Sequence, residues 1–473
     1  MTEITPRPSR YAPESVGIGI VHLGLGAFHR AHQAAYLEAW LNRHGGGDWG
    51  ICAASIRSNR ALVEALEAQG CRYHIAEYAD ASHVRVTEIR AIRRVVFAAA
   101  DKTVLLGQMT APGTRIVSLT VTEKGYCQSP ASGELLTGDP DVAHDLTRPE
   151  EPRTAPALLL EALKRRRAAG TAPFTVLSCD NMPDNGARAR RAVVALAANQ
   201  SAALARWIED EVAFPSTMVD RIVPALTDDS RRKLDALIGF HDAAAVACEA
   251  FSQWVVEDRF PAGRPDWEAD GVEMVADVEP FETMKLRLLN GAHSLLAYSG
   301  LARGKATVAE AVADPALLAL VRAYLDEAAA SLGERAGLDP AAYGAALLAR
   351  FGNDALEHRL AQIAMDGSQK LPQRWLDGAL VNLEQGRPVG ATAEAVAAWI
   401  AHVRGIGAAG AAHRVDDPMA ARLADCHRRH ATAEGVVDAL LGIREIFPAR
   451  LASRRDFRDA VCKAYSGGDA WQR

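Results

Sequence analysis

GIGIVHLGLG, residues 17–26, decides the fold. It is an apolar, glycine-rich run, short enough for a buried parallel strand. Gly24 and Gly26 close it, and a helix is expected from about Phe28 to Asn42. In that strand-turn-helix order, backbone amides at a helix N-terminus can hold a pyrophosphate. The third glycine of G-x-G-x-x-G would fall at His29, so the fingerprint is incomplete. An ordinary tight turn is the rival reading. Arg30, in the first turn of the helix, can add charge against phosphate.

Outward from this stretch, strands are expected at 49–56, 84–89, 115–121 and 174–179, with helices near 59–69, 155–168 and 187–198. Strands alternating with helices predict a parallel, doubly wound sheet. The character changes after about residue 280. Segments such as VAEAVADPALLALVRAYLDEAAASL, 308–332, carry helical periodicity, and strand signals nearly vanish. The expected organisation is an α/β Rossmann-type N-terminal domain over 1–280 and a largely α-helical C-terminal domain over 281–473. IGAAGAAH, 406–413, reads as a connector.

A formal charge of −6 over 473 residues offers no basic field for nucleic acid. The basic run 164–167 sits on an expected helix and reads as a solvated face. Seven scattered cysteines without a CxxC pair argue against a disulfide framework and against a thiolate zinc site. Free thiols in a reducing cytoplasm are the simplest reading. No apolar run approaches the ~18 residues of a membrane span. Residues 1–17 lack a signal pattern and read as a short polar tail.

The chemistry concentrates in EPFETMKLRLLNGAHS, 279–294. On a regular α-helix Lys285, Asn290 and His293 fall within an arc of about 140°. A lysine, an amide and an imidazole on one face suit carbonyl/alcohol redox chemistry: a base for the hydroxyl proton, a donor for the developing oxyanion, and an orienting group. Core packing explains the set poorly, because lysine is almost never buried without a partner. Elsewhere, 55–60 lacks the carboxylate that usually meets the adenosine ribose, so NAD or NADP stays open. Arg57 or Arg60 can meet a 2′-phosphate or lie in solvent. His29 and His32 have no partner motif and read as helix-face residues rather than a metal pair. Asn181, ending the strand in SCDN, is an oxyanion donor or a cap. Asp220 is a partner of Arg221 or a ligand for a substrate hydroxyl.

GLGAFHRAHQ (24–33), SLTVTEKGY (118–126), SCDNMPDNG (178–186), FPSTMVDRIVP (214–224) and KLRLLNGAHS (285–294) together resemble the polyol-specific long-chain dehydrogenases, the mannitol dehydrogenase family. The resemblance implies a Rossmann domain, a helical second domain, NAD as cofactor with NADP not excluded, and no metal. It implies Lys285 as general acid/base and Asn181 with Asn290 as the amide pair on the carbonyl oxygen. His293, Asp220 and Lys370 would orient substrate, and Glu282 would relay the proton. Gly24, Gly26, Phe28 and Arg30 would meet the cofactor. The segment 358–375, QIAMDGSQKLPQR in its middle, is similar to the fructuronate reductases (mannonate oxidoreductases). Mannitol-type members tend to carry arginine where this chain has Gln362. Arg359 or Arg374 could then pair with a substrate carboxylate, or either could equally be a surface charge. The expected partner is a small sugar acid or a polyol, with no nucleic acid or membrane, and a cytoplasmic monomer or small homo-oligomer.

Overall fold

The computed structural model describes residues 4–99, 101–129, 132–335, 337–355, 358–407 and 411–467. Part of the expected connector at 406–413, and the first three residues of the expected tail, lie outside them. The chain divides into two compact units, Met1–Glu279 and Pro280–Arg473.

The first unit carries all eleven strands found among the described residues: β1 Val16–Leu23, β2 Gly47–Ser55, β3 Tyr73–Tyr78, β4 Val84–Ile89, β5 Ile92–Phe97, β6 Ile116–Leu119, β7 Thr175–Ser178, β8 Thr217–Asp220, β9 Val246–Glu249, β10 Gln253–Glu257 and β11 Glu273–Val275. The main sheet runs β5-β2-β1-β6-β7, and every pair in it is parallel. Successive strand residues point to opposite faces. Ile20, Ile51 and Ile116 join one core with Leu37 and Leu41 of the helix Gln33–His44. Val21, Cys52 and Val117 join the other core with Leu158 and Leu163 of the helix Ala155–Ala168. Burial on both faces is why these strands read as continuous apolar runs.

Two small mixed sheets, β4-β3-β9 and β11-β10-β8, stand beside the main one. The segment 84–89 is a strand as expected, but it pairs antiparallel with β3 rather than joining the doubly wound sheet. The helix expected from 28 to 42 is broken. His32, at φ −119° and ψ −89°, separates Ala27–Ala31 from Gln33–His44.

The second unit is helical, from Glu279–Lys285 to Arg455–Gly467. Its core gathers Leu288, Leu295, Trp375, Trp399, Phe447 and Phe457. No helix among the described residues is long and apolar enough to cross a membrane.

Candidate active site

In the first unit the main sheet changes direction of winding between β1 and β6. Ligands of open α/β sheets bind beyond the carboxyl ends of the strands at that place. Gly24 sits there with φ +113°, where an added Cβ would lie 2.1 Å from the Thr120 carbonyl oxygen. Glycine alone fits such a turn. At Gly26 a Cβ would meet only the Gly24 carbonyl oxygen, at 3.8 Å, so a ligand can approach this backbone closely. Phe28 is half-buried and stacks on His32 with ring centroids 4.9 Å apart.

Arg30 does not offer its charge to a phosphate. Its guanidinium is buried, donating to the Ala244 and Gly26 carbonyls and lying over the Tyr73 ring. Backbone carbonyls replace water around the cation, which is how a buried guanidinium is kept.

Beneath the turn lie the buried histidines. His22 bonds Ser118 Oγ through Nδ1 and Thr120 Oγ1 through Nε2, both at 2.8 Å. His29 stacks on it with centroids 3.4 Å apart. Burial pushes His22 down to about 3 and His29 well below its ordinary value, so both are neutral. His29 and His32 are therefore core groups, not exposed helix-face ones. Among the described residues, no three or more His, Cys, Asp or Glu side chains are grouped to hold a metal ion.

Asn181 is exposed in the turn after β7. The residue before it, Asp180, fixes that turn. Its carboxylate accepts from the amides of Val121 and Thr122, at 3.1 and 2.8 Å, and from the Tyr126 hydroxyl at 2.7 Å. Burial raises its pKa. Asn185 then ties the turn to β8, donating to the carbonyls of Asp180 and Thr217. Asp220, buried, closes β8. Arg221 is not its ion-pair partner: that guanidinium bonds Glu77 at 2.5 Å and the Glu249 carbonyl. Arg57 pairs with Asp141 at 3.3 Å, and both are exposed.

In the second unit one continuous helical rod carries the 279–294 motif. It runs as an α-helix over Glu279–Lys285, a π-helical turn over Leu286–Asn290, and an α-helix over Gly291–Ala302. This changes the geometry expected from a regular helix. A π turn advances about 80° per residue rather than about 100°. Lys285, Asn290 and His293 then fall within roughly 60° of arc instead of about 140°. Lys285 and His293 are 5% and 8% exposed, and Glu282 is buried one turn before the lysine.

A second π turn, Pro372–Leu376, packs on the first. A π turn shifts the backbone ladder and frees carbonyls. The Tyr324 hydroxyl reaches two of them, Arg287 O at 2.6 Å and Arg374 O at 3.0 Å, and the Trp375 indole donates to Gly291 O. Gly291 makes the approach possible: its Cβ would lie 1.9 Å from the Tyr324 hydroxyl.

The His293 ring contacts Phe351 and His358, with centroids 4.7 and 4.8 Å away. Its Nε2 is buried without a hydrogen-bond partner. Burial, then His358, Arg350, Arg374 and Lys285, hold it well below its ordinary pKa. Lys370 is half-buried, its Nζ donating to the Met365 carbonyl at 2.5 Å. Of the two arginines considered for a carboxylate, Arg359 is exposed, whereas burial pushes Arg374 down to about 10.

Residues 18–269 match the family profile of the mannitol dehydrogenase Rossmann domain, and 277–467 that of the mannitol dehydrogenase C-terminal domain. The chain is 46% identical over 461 residues to an uncharacterized oxidoreductase of Escherichia coli, YeiQ, covering 96% of this chain and 93% of that one. It is 45% identical to the D-mannonate oxidoreductase of Escherichia coli, over 94% of this chain and 92% of that one. The structure of Pseudomonas fluorescens mannitol 2-dehydrogenase, a ternary complex with NAD and D-mannitol, superposes with a TM-score of 0.84. It is 37% identical and covers 98% of this chain and 94% of that one.

Proposed function

The chain belongs to the mannitol dehydrogenase family, and from that premise we propose that it interconverts D-mannonate and D-fructuronate. It is an NAD-dependent oxidoreductase acting on secondary alcohols. The observation that carries the choice of a sugar acid is the charge around His293. Arg350, Arg374 and Lys285 act on that imidazole as positive charges and lower its pKa. Such a site favours an anion over a neutral polyol. The 45% identity to a D-mannonate oxidoreductase supports the same reading.

NAD, when bound, supplies the hydride acceptor, and the Gly24–Gly26 turn suits its pyrophosphate. In oxidation Lys285 takes the hydroxyl proton. In reduction it returns a proton to the nascent alkoxide oxygen. Asn290 and Asn181 donate to that oxygen as charge develops. His293, Asp220 and Lys370 orient the substrate, and Glu282 passes the proton between Lys285 and solvent. Arg359, exposed, has no part in this reading.

The test is NADH oxidation with D-fructuronate and, separately, D-fructose, repeated with NADPH. Fructuronate is expected to be the better substrate. Brisk turnover of fructose or of a polyol, with none of either sugar acid, would make this a mannitol-type dehydrogenase. Lys285→Ala is expected to lower kcat by about 10²–10⁴-fold, the range for a lost general acid/base. Full activity in that variant would remove the lysine from the chemistry.

A further inference from the structure

Arg374 is a half-buried cation without an anion. Its Nη1 donates to Ser294 Oγ at 2.7 Å and to the Asn290 carbonyl at 3.2 Å. Among the described residues no carboxylate pairs with it, and Nε and Nη2 have no protein partner. Nor do those two nitrogens rank among the sealed, unsatisfied atoms of the structure, so they keep access to solvent. The Nε–Nη2 edge is the side of a guanidinium that takes both oxygens of a carboxylate in parallel. One end of the group is therefore fixed and the recognising edge is left open.

The neighbours reinforce the point. Tyr298 and Tyr324, the groups that act on Arg374 electrostatically, are hydroxyls, not acids. The nearby carboxylate of Asp417 is already taken by the amide and hydroxyl of Ser368, at 2.8 and 2.6 Å. Lys370 is bonded to backbone carbonyls. A cation drawn partly out of water with no carboxylate beside it attracts an anion, and the open edge is where one can dock. Ser294 and Asn290 place the guanidinium on the same stretch of helix as the His293 imidazole, whose Nε2 also lacks a partner.

We infer that Arg374 binds the substrate carboxylate side-on through Nε and Nη2, and so sets sugar acid against polyol. The inference rests on the sugar-acid reading above. It assigns the anchor to Arg374 rather than to Arg359.

The experiment compares kcat/KM for D-fructuronate and D-fructose in the wild type, Arg374→Gln and Arg374→Lys. Losing a bidentate charged contact should lower the fructuronate-to-fructose ratio about 100-fold in the glutamine variant. The loss should fall mainly on KM. Lysine keeps the charge without the fork and should lose about 10-fold. Parallel losses on both substrates would overturn the inference and leave a structural role. Should the variants fold poorly, the wild type is tested with D-mannonate against its neutral amide, D-mannonamide. Preference for the acid supports the inference, and equal use overturns it. A wild type that ignores fructuronate altogether defeats the sugar-acid reading itself. A wild type that prefers it while Arg374→Gln keeps the same ratio defeats only the assignment to Arg374.

Discussion

Gly291→Ala tests whether the contact between the two π turns is as tight as the geometry says. The new methyl carbon would sit 1.9 Å from the Tyr324 hydroxyl, 2.8 Å from ring atom Cζ and 3.1 Å from the Arg374 carbonyl oxygen. Tyr324 is 1% exposed and cannot swing into solvent. Overpacking a filled core costs about 1–3 kcal/mol. Displacing the hydroxyl also strands the carbonyls of Arg287 and Arg374, which adds about 1–3 kcal/mol. The expected total of about 2–6 kcal/mol is a large part of a typical folding stability. Urea unfolding of Gly291→Ala, Tyr324→Phe and the double variant measures it. Phenylalanine removes the atom at 1.9 Å but leaves the one at 2.8 Å, so rescue should be partial. The double variant should be more stable than the sum of the two losses by about 1–3 kcal/mol. The alanine variant should also lose kcat, because Asn290 directly precedes the disturbed residue. Additivity within about 0.5 kcal/mol would refute the clash, since independent sites behave that way.

Two further outcomes follow from the first unit. Asp180→Ala strands two amides and the Tyr126 hydroxyl and should cost about 2–4 kcal/mol in a thermal or urea melt. Asp180→Asn keeps one acceptor oxygen and should lose about half as much. The buried histidines predict acid sensitivity. His22 titrates near 3 when folded and near 6.5 when unfolded, so between those values the unfolded chain binds more protons. Stability should therefore fall as pH drops through that window, by about 1.4 kcal/mol per pH unit from this group. Urea midpoints at several pH values, compared with His22→Gln, isolate the contribution. An unchanged slope in the variant would show that the imidazole does not control it.

Much of the fold was legible because it is written in runs of one period. β1, β2, β4, β6 and β7 all stand where apolar runs place them, since strands buried on one or both faces leave a plain signal. The small sheets, β4 apart, were not: β8, β9 and β11 are only three or four residues long, too short to show a period. The π turn was invisible for a different reason. LRLLNGAHS reads as an unbroken helix, and only packing against 372–376 decides how many residues fill each turn. The sequence does not single out Asp180 beside Asn181, because no motif separates a buried anchor from an exposed neighbour. Its signal was the pairing with Tyr126, some fifty residues away. Arg30 shows the opposite error: helix position suggested a ligand, while tertiary carbonyls claimed the side chain.

The shared tyrosine hydroxyl between the two π turns constrains how a protein of this design can diversify. The backbone that carries Asn290 and the backbone that carries Arg374 are fastened by that hydroxyl and by the Trp375 indole, so neither turn can be reshaped without the other. Insertions and deletions, the usual raw material of new loops, are barred from both. Change in substrate preference must then come by exchanging side chains on a fixed frame. A single codon at position 374 can alter what is recognised, at the cost of the bonds its guanidinium makes to Ser294 and Asn290.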